Sequence, residues 1–285
     1  MSAFPQAKQP VKTLNDVAFA GDDGEQLQGD LYLPDGVDNA PVLIAVHGGG
    51  WQVGNRKFYV HWGPYLARHG IAVFAVEYRL TKPDAKAYPG AVRDVRAAVG
   101  FIRANAGQYR LDRERIGLVG DSAGAHLSAL IALAGNEPPF AAGASAAAGR
   151  IAVKVVVGFY GVYDMAAQWQ HDLPVRPRDN ITEKFLGAAL YADRRIYFES
   201  SPISYATVDR NSTRFLLIHG TNDDVVDARS QSQVFNLALK QAGFFVRTVV
   251  IPGAGHFFVT EPVDDTSYSG VAGPRVVRFL KEMDF

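Results

Sequence analysis

Short, almost wholly apolar runs alternate along this chain with longer stretches in which apolar residues recur every three or four positions. The apolar runs are PVLIAVH (41–47), IAVFAVEY (71–78), RIGLVG (115–120), VKVVVGFYG (153–161), RFLLIHG (214–220) and RTVVIPG (247–253). Each has the length of a strand and little polar alternation, so each predicts a strand covered on both faces. Ahead of them, DVAFAG (16–21) and QLQGDLYLP (26–34) predict a leading strand pair, the second member alternating apolar and polar side chains. The stretches 89–106, 229–243 and 273–283 carry apolar residues at helical spacing. Strand, helix, strand in repetition predicts an α/β chain with a mostly parallel sheet of about eight strands and helices on both faces. One domain over residues 1–285 accommodates the whole pattern.

Two segments break the alternation. FAAGASAAAG (140–149) is made of small residues without a period and predicts a flexible connection with no chemistry. Between residues 164 and 206 the chain is longer than a plain connection and carries its own apolar residues, Trp169, Phe185, Leu186, Tyr191 and Phe198. Insertions of this kind often serve as lids or binding loops, so 164–206 is expected to be a lid or cap within the domain.

Composition narrows the function without naming it. Lys+Arg and Asp+Glu number 29 each, with no long run of either sign, which argues for a small-molecule partner and against nucleic acid or an anionic membrane. With no cysteine in the chain, disulfides, thiol catalysis and thiolate metal sites drop out. The N-terminal MSAFPQAKQPVKTLNDVAF lacks an apolar signal core, and no window approaches the roughly 18 apolar residues of a membrane span. A cytoplasmic address is the default expectation.

The chemistry concentrates in IGLVGDSAGAHLSAL (116–130), where Gly120 and Gly124 bracket Ser122 between an apolar run and a helical one. A nucleophile on a tight strand-to-helix turn needs a strained backbone and glycine two residues to either side. The turn also leaves the hydroxyl at a helix N-terminus, where free N–H groups favour developing negative charge. The competing reading is an ordinary N-cap serine. The strand before and the helix after favour the nucleophile.

A serine also needs a base, and the base needs an orienting group. Of seven histidines, His256 stands out in IPGAGHFFV, on a glycine-bearing loop between the last apolar run and the last helix. LLIHGTNDDVVD offers Asp223, Asp224 and Asp227 just after a strand. Asp223 is the favoured acid and Asp224 the next, while Asp227 fits an N-cap for the helix near residue 229. In AVHGGGWQVG (45–54) the N–H groups of Gly49 and Gly50, with that of Ala123, are expected to form an oxyanion hole. The run matches neither a dinucleotide-binding nor a P-loop pattern. His47 is expected to shape the loop rather than act as a base. Trp51, directly after the glycines, is the aromatic most expected to line the substrate pocket; Trp169, Tyr160 and Phe257 are further candidates that suit the core equally.

HGGGW, GDSAG, HGTNDD and GAGHFF, in this order, resemble the α/β-hydrolase esterases of the hormone-sensitive-lipase type. They equally resemble the bacterial feruloyl and acetyl-xylan esterases and the neighbouring arylformamidases. EYRLTKPDAKAYPGAVRDVRAAVGFIR (77–103) is similar to the Tyr-Arg-Leu stretch, proline and Asp-bearing helix of those enzymes. The resemblance implies an α/β-hydrolase fold, Ser122 as nucleophile, Asp223 as acid, His256 as base, and Gly49, Gly50 and Ala123 as oxyanion donors. Two departures matter. Ala125 stands where hormone-sensitive-lipase types usually carry a second glycine, which is closer to the feruloyl-esterase and formamidase side. The first strand is expected near residue 16, so an N-terminal helical cap is short or missing and cover must come from 164–206. A small lid implies a shallow pocket and argues against long-chain triglycerides.

The expected function is that of a serine hydrolase cleaving short-chain carboxylic esters through an acyl-enzyme. No metal or organic cofactor is called for, the partner is a small-molecule ester, and the sequence is compatible with a homodimer. An arylformamidase or other small-amide hydrolase would use the same groups. A non-catalytic binding protein on the scaffold is the remaining alternative, disfavoured by the presence of every catalytic part.

Overall fold

A computed structural model describes residues 10–142 and 149–285. Eight strands form one sheet: β1 (Val11–Ala20), β2 (Gln26–Pro34), β3 (Ala40–Val46), β4 (Ala72–Val76), β5 (Leu111–Asp121), β6 (Val155–Phe159), β7 (Arg214–Gly220) and β8 (Val246–Ile251). Their spatial order is β1-β2-β4-β3-β5-β6-β7-β8. β2 pairs antiparallel with β1 and β4, and the remaining pairs through β8 are parallel. The helices are α1 (Trp62–Ala67), α2 (Gly90–Asn105), α3 (Ala123–Ala134), α4 (Met165–Asp172), α5 (Ile181–Leu186), α6 (Arg194–Ser200), α7 (Val234–Gln241) and α8 (Tyr268–Glu282).

The continuous apolar runs have a direct cause in this arrangement. Val42, Ile44 and Val46 of β3 join a core shared with α2, α3 and α7, whereas Leu43 and Ala45 join a second core shared with α1 and α8. Successive side chains of a central strand thus enter opposite cores, and each full burial of a Val, Leu or Ile contributes about 1.5–3 kcal/mol.

The expected cover fails at one edge. β8 pairs only with β7, and Arg247, Thr248 and Val250 are exposed. β1 begins at Val11, ahead of the expected residue 16, because its first residues extend the pairing to Leu31–Pro34 across a bulge between Leu14 and Val17. α8 begins at Tyr268 rather than 273, since the Ser267 side chain caps it by accepting the Gly270 N–H. The 229–243 stretch splits into a wide turn, in which the Gln233 N–H bonds to Ala228 O at 2.9 Å, followed by α7.

Residues 164–206 form α4, α5 and α6 and a 3-10 turn. The three helices are N-capped by the side chains of Asp164, Asn180 and Asp193. Phe185, Leu186 and Tyr197 are buried, Trp169 is half-buried, and Tyr191 and Phe198 are exposed. Most of the FAAGASAAAG stretch, positions 143–148, lies outside the described residues. Among the described residues no helix is long and apolar enough to cross a membrane.

Candidate active site

β5 ends at Asp121 and α3 starts at Ala123, which leaves Ser122 alone on the turn with φ 52° and ψ −117°. A non-glycine residue there costs on the order of 1–3 kcal/mol of backbone strain, offset by the surrounding packing. The two glycines explain how the turn closes. A Cβ on Gly124 would lie 1.9 Å from Val46 O, and one on Gly120 would lie 2.4 Å from the carbonyl of Gly124. Any side chain at either position would strike backbone that has nowhere to go.

Ser122 makes no side-chain cap bond to its own helix, which removes the N-cap reading. Its hydroxyl donates instead to His256 Nε2 at 3.0 Å. On the other side of the imidazole, Nδ1 donates to Asp223 Oδ2 at 2.8 Å. A carboxylate can only accept, so this bond sets the tautomer and leaves Nε2 bare toward the serine. The side chains of His256 and Asp223 are both buried. Asp223 is itself fixed, its Oδ1 accepting the N–H groups of Val225 and Val226 at 3.0 Å each. Asp224 is exposed and takes no part in this line. Asp227 accepts from the Arg229 and Ser230 N–H groups, the capping role expected of it.

The glycine loop stands against the same turn. Gly48 N–H donates to Asp121 Oδ1 at 3.0 Å, and Tyr59 OH donates to the same oxygen at 3.1 Å. Burial pushes the Asp121 carboxyl up to about 6, against the pull of those two hydrogen bonds. Gly49 has φ 108° and Gly50 φ 60°, and Gly49 O closes a tight turn by accepting the N–H groups of Gln52 and Val53 at 3.1 Å. Among the described residues none accepts a hydrogen bond from the N–H groups of Gly49, Gly50 or Ala123. His47 is buried, and burial lowers its pKa to about 4; its ring donates from Nδ1 to Gly48 O at 2.7 Å. It is a neutral brace of the loop.

Trp51 departs from expectation. It is 2% exposed, with its ring stacked on Phe185 at 4.6 Å, so it packs in the core instead of lining a pocket. Its φ is 59°, in the left-handed region like those of Gly49 and Gly50 before it. The aromatic groups beside His256 are Tyr160, 4.4 Å from its ring and buried, and Phe257, 4.5 Å away and 53% exposed. Trp169 donates to Glu183 Oε1 at 2.6 Å, within the 164–206 segment. A cleft of about 780 Å³ between residues 81–86 and α5 reaches the loop at Gln52, but neither Ser122 nor His256 lines it. Asp121, Tyr59 and His126 join the site without having been expected from the sequence. Asp121 and His126 stand within GDSAGAH, where an acid beside Ser122 and a histidine one helical turn after it were available signals.

A parallel sheet with β2 reversed, a serine on the β5–α3 turn, and an acid and a histidine on the loops after β7 and β8 define an α/β-hydrolase. Within that class, residues 29–239 match the BD-FAE family, and the chain belongs to it. It is 33% identical over 223 residues to Esterase LipQ of Mycobacterium tuberculosis, which covers 77% of this chain and 50% of that protein. Esterase LipC of the same organism is 32% identical over 252 residues, covering 86% of this chain and 59% of its own length. The chain thus spans about half the length of the curated relatives it matches. Among solved structures, an esterase of Pyrobaculum calidifontis has the same fold, with a TM-score of 0.75 over 98% of this chain and 88% of that one at 23% identity.

Proposed function

We propose that the protein hydrolyses short-chain carboxylic esters through an acyl-enzyme on Ser122. His256 Nε2 takes the serine proton as Oγ attacks the carbonyl, and Asp223 holds the imidazolium that forms. The N–H groups of Gly49, Gly50 and Ala123 receive the oxyanion of the tetrahedral intermediate. His256 then protonates the leaving alcohol, and water releases the acyl group by the same steps in reverse. The hydrogen-bonded line Ser122–His256–Asp223, on a turn strained to present the hydroxyl, is the observation that carries this reading.

The kinship with LipQ and LipC, both named esterases, supports the ester as substrate. The segment 164–206 acts as a lid within a single domain. Its helices are only 8, 6 and 7 residues long, which supports a shallow pocket and a short acyl group. The test is hydrolysis of p-nitrophenyl acetate, butyrate, octanoate and palmitate by wild type and Ser122→Ala, with N-formylkynurenine alongside. Turnover that falls with chain length and disappears in Ser122→Ala is expected. A preference for the formamide would replace ester by amide, and turnover that survives in Ser122→Ala would remove the mechanism.

A further inference from the structure

We infer that His126 is a positioning residue that locks the oxyanion loop and the 164–206 segment onto the nucleophile helix. The inference rests on the proposed hydrolase mechanism for its kinetic meaning and on hydrogen bonding for its geometry.

His126 lies one helical turn after the nucleophile, with its N–H bonded to Ser122 O at 3.1 Å. Its ring is fully buried and uses both nitrogens. Trp51 Nε1–H donates to Nδ1 at 3.1 Å, and Nε2 donates to Ser200 O at 2.8 Å. An indole N–H can only donate and a carbonyl can only accept, so the two partners fix one neutral tautomer. Three segments remote in sequence therefore meet on one imidazole: the glycine loop through Trp51, the helix behind Ser122, and the end of α6 through Ser200.

Packing reinforces the hydrogen bonds. The Trp51 ring meets His126 edge-on at 5.1 Å and stacks on Phe185 of α5, which itself meets His126 edge-on at 5.8 Å. Trp51 is covalently next to Gly50, and its carbonyl accepts the Thr81 N–H at 2.8 Å. Trp51 follows Gly50 directly, so the side chain held by His126 and Phe185 and the carbonyl held by Thr81 together anchor the end of the glycine loop that carries the Gly50 N–H. Oxyanion donors act only if aimed in advance, and a misplacement of about 1 Å costs on the order of 10²-fold in rate. His126 is thus placed to hold the aim of the hole without touching substrate.

The experiment compares His126→Phe, which keeps a buried aromatic ring without its nitrogens, with His126→Gln, whose amide can both accept and donate. Each is assayed on p-nitrophenyl acetate, for inhibition by an aryl trifluoromethyl ketone, and by hydrogen exchange of peptides covering 47–54 and 194–206. In His126→Phe, kcat is expected to fall roughly 10²-fold with KM within about twofold, and ketone binding to weaken in parallel. Exchange should rise in both peptides, and His126→Gln should recover most of each property. A His126→Phe protein that only melts earlier, with kcat and ketone binding as in wild type, would overturn the inference. So would a His126→Gln protein that folds with wild-type exchange but stays as inactive as His126→Phe. If wild type itself turns over no ester, the mechanism fails, and the exchange of 47–54 and 194–206 still decides whether His126 holds the two segments.

Discussion

The turn carrying Ser122 and the helices between residues 164 and 206 are built by opposite rules. At the turn, what matters is the side chain that is missing, since a Cβ on Gly120 or Gly124 would run into backbone of α3 or β3. In 164–206, side chains do the building: Asp164, Asn180 and Asp193 cap three short helices, and Phe185 and Tyr197 anchor them while Tyr191 and Phe198 stay exposed. A region fixed by backbone contact has almost no freedom to vary, whereas one held by caps and a few anchors can change its exposed positions cheaply. On the proposed mechanism, chemistry belongs to the first and substrate choice to the second.

Substitutions in the two regions should differ in the size and kind of their effects. The largest effect on rate is expected from Ser122→Ala, with esterase kcat lower by roughly 10⁴–10⁶-fold and the melting temperature no lower than wild type. Gly124→Ala should be the largest structural effect, a loss of more than about 4 kcal/mol read as loss of soluble, cooperatively melting protein, because Val46 O cannot retreat from β3. Asp223→Asn should reduce kcat by about 10³–10⁴-fold through the wrong imidazole tautomer, while Asp224→Asn stays within about twofold. The reverse result in initial-rate assays would shift the acid by one residue.

The pH dependence of stability follows from the two buried imidazoles. Burial lowers His47 and His126 to about 4, so on acidification the unfolded chain takes up protons first. Stability from these groups is complete above about pH 6.5 and is lost as pH falls toward 4, each contributing on the order of 3 kcal/mol. Asp121, held near 6, acts in the opposite sense over the same interval, and it is common to both proteins being compared. Urea midpoints measured from pH 4 to 7 should therefore depend less on pH in His126→Gln than in wild type. The smallest effects are expected at Phe198→Ala and Tyr191→Ala: stability within about 0.5 kcal/mol, and a change of a few-fold in the octanoate-to-acetate ratio of kcat/KM with little change on acetate.

How much of this was legible in the sequence follows the same division. The central strands were legible because residues facing two cores leave no polar position, and Ser122, His256 and Asp223 because glycines and loop positions marked them. The exposure of β8 was hidden, since being at an edge depends on strand order and not on the strand's own residues. Trp51 was visible as a neighbour of the glycines, but its burial comes from contacts with Phe185 and His126, which lie far away in sequence. His126 was quoted within GDSAGAH yet carried no meaning there, because its partners Trp51 and Ser200 lie 75 and 74 residues away.

In the proposed mechanism the Ser122 hydroxyl is activated by His256. Its most direct test is peptide mass spectrometry after treatment of wild type, Ser122→Ala and His256→Ala with a fluorophosphonate. A single stoichiometric adduct is expected on the peptide containing Ser122 in wild type, none in Ser122→Ala, and labelling slowed by orders of magnitude in His256→Ala. An adduct on another residue, or labelling of Ser122 at the same rate without His256, would contradict it.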